Sequence, residues 1–405
     1  MRILFVTPYI PSLIRVRPYN ILRALVKRGH DVTLLSLQPP GDTGESLDEL
    51  RQCCQAVHVV PHTRSQTLAN GLMALPARLP LQAAYSRSPR FNTAAREILQ
   101  KERFDVVHLE HLRGAVLADA LEGLPIVYDS VDSISLLFGK VLQDAPTLKS
   151  RLMALVDLER TRRFEGQLTR RFPQVAVTSE ADRQALVGFG CDNRRVTVVP
   201  NGVDLDYFRP LDVERHPLFL VFTGKMSYHA NIAAVEDLVQ KIMPLVWQEQ
   251  PDAKLYIVGK DPAPSVIEMG QQPNVMVIGS VPDMRPYLAQ AAVAISTVRY
   301  GVGIQNKVLE AMAMATPVVC SVQANSALKT VSGQDILVGD TPQAIARHIL
   351  DLLASAEKRE RVGQQGRRYV ETCHTWDSAA ATLETLYQAA MPAAHPAHHA
   401  AVSVR

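Results

Sequence analysis

Cysteine is scarce in this chain and poorly placed for any framework. There are five in 405 residues, an odd number, with Cys53 and Cys54 adjacent and no spacing of metal ligands. That argues against a disulfide scaffold or a metal centre and suits a reducing compartment. Long apolar runs are missing too: nothing approaches the ~20 residues a membrane-spanning helix needs. The start has no export-signal pattern. Met1 and Arg2 precede only the short run Ile3–Val6, and Pro8 and Pro11 follow, which suits a first β-strand. A cytoplasmic location is expected. Charge of one sign is also lacking. The net charge of +3 is too mild to argue for nucleic acid as a partner. Finally, no G-x-G-x-x-G follows the first strand, which argues against nicotinamide or flavin binding there.

Short β-branched runs alternating with helical patterns are plentiful. The first half offers strands at Ile3–Val6, Val32–Ser36, Val57–Val60, Asp105–Leu109, Ile126–Tyr128, Val175–Thr178 and Val196–Val199. The second half offers Leu218–Thr223, Lys254–Val258, Val275–Ile278, Val293–Ser296, Val318–Cys320 and Ile336–Val338. Strands apolar on both faces and separated by helices imply parallel sheets covered on both sides. The chain is also long for one core. The fold class is therefore α/β, with two Rossmann-like doubly wound domains facing across a cleft. The turn Pro200-Asn201-Gly202 and the looser stretch after it mark a hinge near 200–215. We expect domains at 1–205 and 206–375, a helix over 376–390 crossing back to the first domain, and a disordered tail at 391–405.

The run Gly301-Val302-Gly303-Ile304-Gln305-Asn306-Lys307-Val308-Leu309-Glu310 carries the strongest chemical signal. Glycines let a backbone approach a phosphate closely, and a helix N-terminus offers free N–H groups. Lys307 adds a point charge, and Glu310 one turn on can accept hydrogen bonds from two sugar hydroxyls. A diphosphate joined to a ribose fits that pattern. The plainer alternative is a turn followed by a core helix. Lys225, just past the strand Leu218–Thr223, can reach the same anion, or else is a solvated loop charge; Asn231 is a candidate helix cap. The backbone of Gly279–Met284, Val281 included, can read a base edge, with Asp283 as a cap.

In the first domain, Arg15 and Arg17 stand where a phosphate or acceptor can lie, since arginine grips such groups bidentately. His111, Asp129 and Asp132 follow strand ends, where a carboxylate or imidazole can meet an acceptor; His108 reads as a core residue. Two basic stretches, Thr67–Leu81 with Arg78, Arg87 and Arg90, and Arg160 to Arg171, suit either an anionic membrane surface or solvated helices. The histidines of the tail (His395, His398, His399) suggest a frayed end more than a metal site.

Taken together, Gly29-His30-Asp31-Val32, Asp105-Val106-Val107-His108, Val177-Thr178-Ser179-Glu180, Pro200-Asn201-Gly202-Val203-Asp204 and Val308-Leu309-Glu310-Ala311-Met312-Ala313 resemble the family 4 glycosyltransferases, retaining enzymes of the GT-B fold. More narrowly, Ile14-Arg15-Val16-Arg17, Phe222-Thr223-Gly224-Lys225-Met226 and Gln305-Asn306-Lys307 are similar to sugar transferases of bacterial exopolysaccharide clusters associated with exosortase sorting. The resemblance implies an acceptor-binding first domain and a nucleotide-sugar-binding second one. It implies donor contacts at Lys225, Asn231, Val281, Gly301, Val302, Gly303, Ile304, Asn306, Lys307, Val308 and Glu310. Catalytic roles fall to Lys225, Glu310, Asp132 and His111. The co-substrate is a nucleoside-diphosphate sugar, with no cofactor and no metal. The acceptor is a lipid-linked or oligosaccharide precursor at the inner face of the cell membrane, and nucleic acid is not a partner. The chain departs from the family where Val302 holds the place of the first of its paired glutamates, which contacts the donor sugar. Val131 stands for a histidine after the fifth strand, and Ser12-Leu13-Ile14 for a glycine-rich loop. Those departures keep two other readings open: a nucleotide-sugar epimerase of similar fold, and a non-catalytic nucleotide-sugar-binding partner of a polysaccharide assembly.

Overall fold

The computed structural model describes residues 1–74, 79–144, 148–300 and 303–391. Among the described residues, thirteen strands form two parallel sheets. The first holds β1 (Arg2–Thr7), β2 (Asp31–Gln38), β3 (Ala56–Pro61), β4 (Val106–Glu110), β5 (Ile126–Val131), β6 (Gln174–Val177) and β7 (Val196–Val198), in the order β3-β2-β1-β4-β5-β6-β7. The second holds β8 (His216–Thr223), β9 (Lys254–Val258), β10 (Val275–Gly279), β11 (Ala291–Ser296), β12 (Val318–Ser321) and β13 (Leu337–Gly339), in the order β10-β9-β8-β11-β12-β13. Each strand coincides with an apolar run read from the sequence, to within a few residues at its ends. The order reverses at β1 in one sheet and at β8 in the other. Such switch points open a crevice at the carboxyl ends of the strands, where ligands of this fold class bind.

β1 shows why these runs make central strands. Ile3, Leu4, Phe5 and Val6 are all fully buried. Leu4 and Val6 pack into the core on one side of the sheet, Ile3 and Phe5 into the core on the other. Each such side chain removed from water is worth roughly 1.5–3 kcal/mol. A strand covered on both faces therefore reads as continuous rather than alternating.

The chain crosses between the domains twice, and the two crossings run side by side. The N–H of Val203 donates to the carbonyl of His374 (2.9 Å), and the His374 ring bonds the carbonyl of Asn201 (2.9 Å). A side chain on Gly202 would run into the backbone of Thr375 and Trp376, so glycine is required there by close approach. Helix Trp376–Ala390 then packs Leu383, Leu386 and Tyr387 into the core beside helix Val16–Lys27. Arg28 clamps it through Glu384 (2.7 Å) and Asp377 (2.9 Å). The Tyr387 hydroxyl reaches Nδ1 of His108 (2.9 Å), which is fully buried and stacked on Phe5. Of the tail at 391–405, only Met391 lies within the described residues.

One local expectation needs correcting. Helix His229–Asp237 is capped at Tyr228, not at Asn231, and it continues through a π-helical turn, Leu238–Ile242, into Met243–Glu249. Asn231 lies inside the first turn, where its side chain has other partners. In helix Leu148–Arg171, Arg163 is tied to Glu159 (3.0 Å) and Arg171 to Asp119 (2.7 Å). Among the described residues no helix is long and apolar enough to cross a membrane.

Candidate active site

The site grows from the carboxyl end of β8 and the start of helix Asn306–Ala313. Gly224, with φ +148°, bends the chain away from the sheet, and a side chain there would come within 3.3 Å of the Lys307 ammonium. Lys307 donates to Oδ1 of Asn231 (2.6 Å), and the Asn231 amide donates to the carbonyl of Lys225 (2.9 Å). The ammonium also sits 4.3 Å from the Phe222 ring centroid, a cation–π contact. One turn along, Glu310 is half-buried on the same helix, and none of the described residues is hydrogen-bonded to its carboxylate.

Burial governs the charges here. It pulls the Lys307 ammonium down to about 7, opposed by the negative charge of Glu310, and lifts Glu310 to about 7, opposed by Lys307. Both groups are therefore poised near neutrality, where an arriving anion or hydroxyl can decide their state. Lys225 is half-exposed and leans on Asp261 (3.6 Å) on the second domain's side of the cleft.

The first domain meets this helix start directly. The Asp132 carboxylate fills the space where a side chain on Gly303 would be, and Gly303 has φ +68°. Thr178 donates to Asp132 (2.8 Å), and Asn201 donates to Oδ1 of Asn306 (3.1 Å). Burial, reinforced by the charge of Asp182, raises Asp132 to about 7. Beside it, Val131 holds φ +66°, a costly backbone state for a β-branched residue. Its N–H is fixed by Asp129 (3.0 Å) and its carbonyl accepts from Thr178 (2.8 Å). Asp132 is thereby presented toward the second domain.

Lys225, Asn231, Gly303, Asn306, Lys307, Glu310 and Asp132 thus lie around the start of one helix. Gly301 and Val302 lie outside the described residues. Two other expectations are corrected. Arg17 and Asp129 do not face a phosphate or acceptor. Arg17 is buried and donates to Asp129 (2.7 and 3.0 Å), to the Val199 carbonyl (2.9 Å) and to Asn201 (2.9 Å). This ion pair ties β5 to the interdomain crossing. Val308 has its side chain in the core and its N–H on the Gln305 carbonyl (2.9 Å), so it offers the cleft no free donor. Ile304 and Val281 turn their side chains to the second core and leave only main chain for a ligand.

His111 belongs to a neighbouring part of the cleft. Its φ is +66°, and its Nδ1 accepts the N–H of Arg113 (3.1 Å). Burial, with Arg113 and Arg15 adding positive charge, holds its pKa down at about 3. The neutral ring then carries its proton on Nε2, so it acts as a donor rather than a base. The sequence reading passed over Tyr9 and Glu110 here. The Tyr9 hydroxyl donates to Glu110 (3.0 Å), whose carboxyl is raised to about 8 by burial and then by Asp129. Glu110 stands in a strand of apolar residues, and that position was the one signal of its burial. Beside these groups a cavity of about 510 Å³ opens between the domains, lined by Tyr9, Arg15 and Arg113 on one side and Lys225, Lys260 and Asp261 on the other.

Twin parallel sheets and a helix N-terminus at their cleft define a GT-B architecture. Residues 15–207 match the family described as Glycosyltransferase Family 4, and residues 217–355 match Glycosyl transferases group 1. The chain belongs to the glycosyltransferases of this family. It is 25% identical over 334 residues to an MMP alpha-(1->4)-mannosyltransferase of Mycolicibacterium hassiacum, covering 76% of this chain and 77% of that one. It is 24% identical over 246 residues to a D-inositol 3-phosphate glycosyltransferase of Streptomyces avermitilis, covering 54% of this chain but only 52% of that protein, so the chain spans about half the length of that curated relative. The fold is shared with Anabaena HepE in complex with UDP (TM-score 0.65, 16% identity, 96% of this chain and 100% of that one). It is also shared with sucrose-phosphate synthase from Thermosynechococcus elongatus (TM-score 0.71, 17% identity, 96% and 98%).

Proposed function

We propose that this chain transfers a sugar from a nucleoside-diphosphate donor to an acceptor hydroxyl with retention at the anomeric carbon, and without a metal. The observation that carries this reading is the Lys307–Glu310 pair on one helix turn, each poised near neutrality, at a helix whose preceding Gly303 lies against the Asp132 carboxylate of the first domain. Lys307 and the helix start hold the diphosphate; Glu310 accepts from the ribose hydroxyls. Lys225 exchanges Asp261 for the outer phosphate. The bond from the anomeric carbon to the diphosphate breaks, the acceptor oxygen bonds on the same face, and its proton passes to a phosphate oxygen. Fixed charge for the leaving group supplies the largest share of rate. Asp132 and the Nε2 proton of His111 orient the acceptor.

The acceptor in this reading is a lipid-linked exopolysaccharide precursor at the inner membrane face. Support comes from helix Arg64–Ala74, whose Leu68, Leu72 and Met73 are 69%, 68% and 58% exposed beside the cleft mouth. Apolar side chains near arginine suit an anionic surface. UDP in the HepE complex makes uridine donors the first to try. Thermal-shift screening of donors, followed by product analysis with and without acceptor and with a chelator present, tests the proposal. Lys307→Met and Glu310→Gln are expected to abolish transfer while melting within a few degrees of wild type. Full turnover in either, or donor conversion that needs no acceptor, would contradict it.

A further inference from the structure

We propose that the interdomain cavity binds a phosphate-bearing ligand through Arg113 and Arg15 over the Tyr9 ring, so that the acceptor is an anion. Only the word acceptor rests on the transferase reading; the anion site stands on the geometry of the cavity.

The cavity brings together Arg15, Arg113, Lys225 and Lys260 against Asp42, Glu45 and Asp261. Two of the cations are already matched, Arg15 with Asp42 (3.3 Å) and Lys225 with Asp261 (3.6 Å). Glu45 and Lys260 are exposed to solvent. Among the described residues Arg113 has no carboxylate partner; its guanidinium donates to the neutral amide of Gln82 at 3.3 Å. The side chain is exposed, yet the atoms packed around it and the charge of Arg15 draw its pKa down. The adjacent imidazole of His111 is neutral and gives no compensation. Exposed on the cavity wall, and without a carboxylate partner among the described residues, the Arg113 guanidinium has donors to offer an arriving anion.

The local backbone holds this arrangement. His111 takes its left-handed turn directly after β4, and its ring accepts the Arg113 N–H, which fixes the start of the arginine. Arg15 lies with its guanidinium carbon 4.1 Å from the Tyr9 centroid, and Tyr9 is itself anchored by Glu110. Two planar guanidinium groups on one cavity suit a tetrahedral phosphate, whose oxygens serve both; one carboxylate is satisfied by one arginine. A cavity of about 510 Å³ leaves room for a phosphorylated sugar or headgroup.

Such a phosphate can arrive on a soluble molecule or on a lipid. The full-length protein is therefore titrated with glycerol phosphate by calorimetry, and cosedimented with phosphatidylcholine vesicles with and without phosphatidic acid. Binding in one arm or both is expected, weakened about tenfold in Arg113→Gln and in Arg15→Gln, partly recovered in Arg113→Lys, and unchanged in Lys307→Met. Ligand-free Arg113→Gln is expected to melt close to wild type, because the arginine is exposed and its side chain is bonded only weakly, to Gln82. The proposal is overturned by the absence of binding in both arms, by binding indifferent to Arg113, or by binding lost in Lys307→Met, which assigns the anion to the donor pocket. UDP binding measured on the same wild-type sample tells the two readings apart: its failure sinks the donor site and leaves this one standing.

Discussion

Two pairs of oppositely charged residues lie beside the cleft, and they have opposite characters. In the first domain Arg17 and Asp129 are buried and saturated, with the arginine also bonded to Val199 and Asn201. In the second, Lys307 has one side-chain hydrogen-bond partner, and burial has drawn both it and Glu310 toward neutrality. A charge whose bonds are all made within the protein is framework. A charge that is desolvated and incompletely bonded is ready for a ligand. Chemistry of residue type does not separate the two; the count of partners does.

The sharpest way to break that contrast is Arg17→Ala, which leaves Asp129 buried and unpaired. A loss of about 3–5 kcal/mol in urea unfolding is expected. A loss below 1 kcal/mol would make this pair dispensable. Next is Lys307→Met, expected to weaken UDP binding about 100-fold with little change in stability. Its pH dependence follows from the lowered pKa. As pH rises through about 7 the ligand-free ammonium deprotonates, so binding must take up a proton and affinity falls above neutrality. Calorimetry in two buffers of different ionisation enthalpy detects that uptake; its absence would place the ammonium charge elsewhere on the pH scale.

Gly303→Ala ranks third. Its φ of +68° and the nearby Asp132 are expected to cost about 1–2 kcal/mol and to slow transfer, read by thermal melting and initial rates. Glu110→Gln should have the smallest effect, and a favourable one. The folded carboxyl titrates near 8 against a lower value when unfolded, so the folded state binds the extra proton between these limits. Stability contributed by Glu110 therefore falls as pH rises across that window and is flat above it. The amide removes this slope while still accepting from Tyr9, so the melting point should rise by about a few degrees at pH 8 and less at pH 5.

How far the sequence could be read depended on what each residue needs. Every strand was legible, because a parallel strand buried on both faces must be apolar throughout, as Ile3–Val6 and Val318–Cys320 are. Lys307 and Glu310 were legible because helix spacing alone puts them on adjacent turns. Arg17 misled: an arginine at a helix start suits an anion, and only the fold brought Asp129, Val199 and Asn201 around it. Arg113 and Tyr9 escaped notice because nothing local distinguishes them.

By itself the sequence determined the elements, their parallel pairing and the helix that carries Lys307 and Glu310, since periodicity and turn residues act over a few positions of chain. Tertiary structure alone decided which charges are spent and which are available. That decision depends on partners more than a hundred residues away, as with Arg17 and Asp129, and on the burial that shifts each group's protonation.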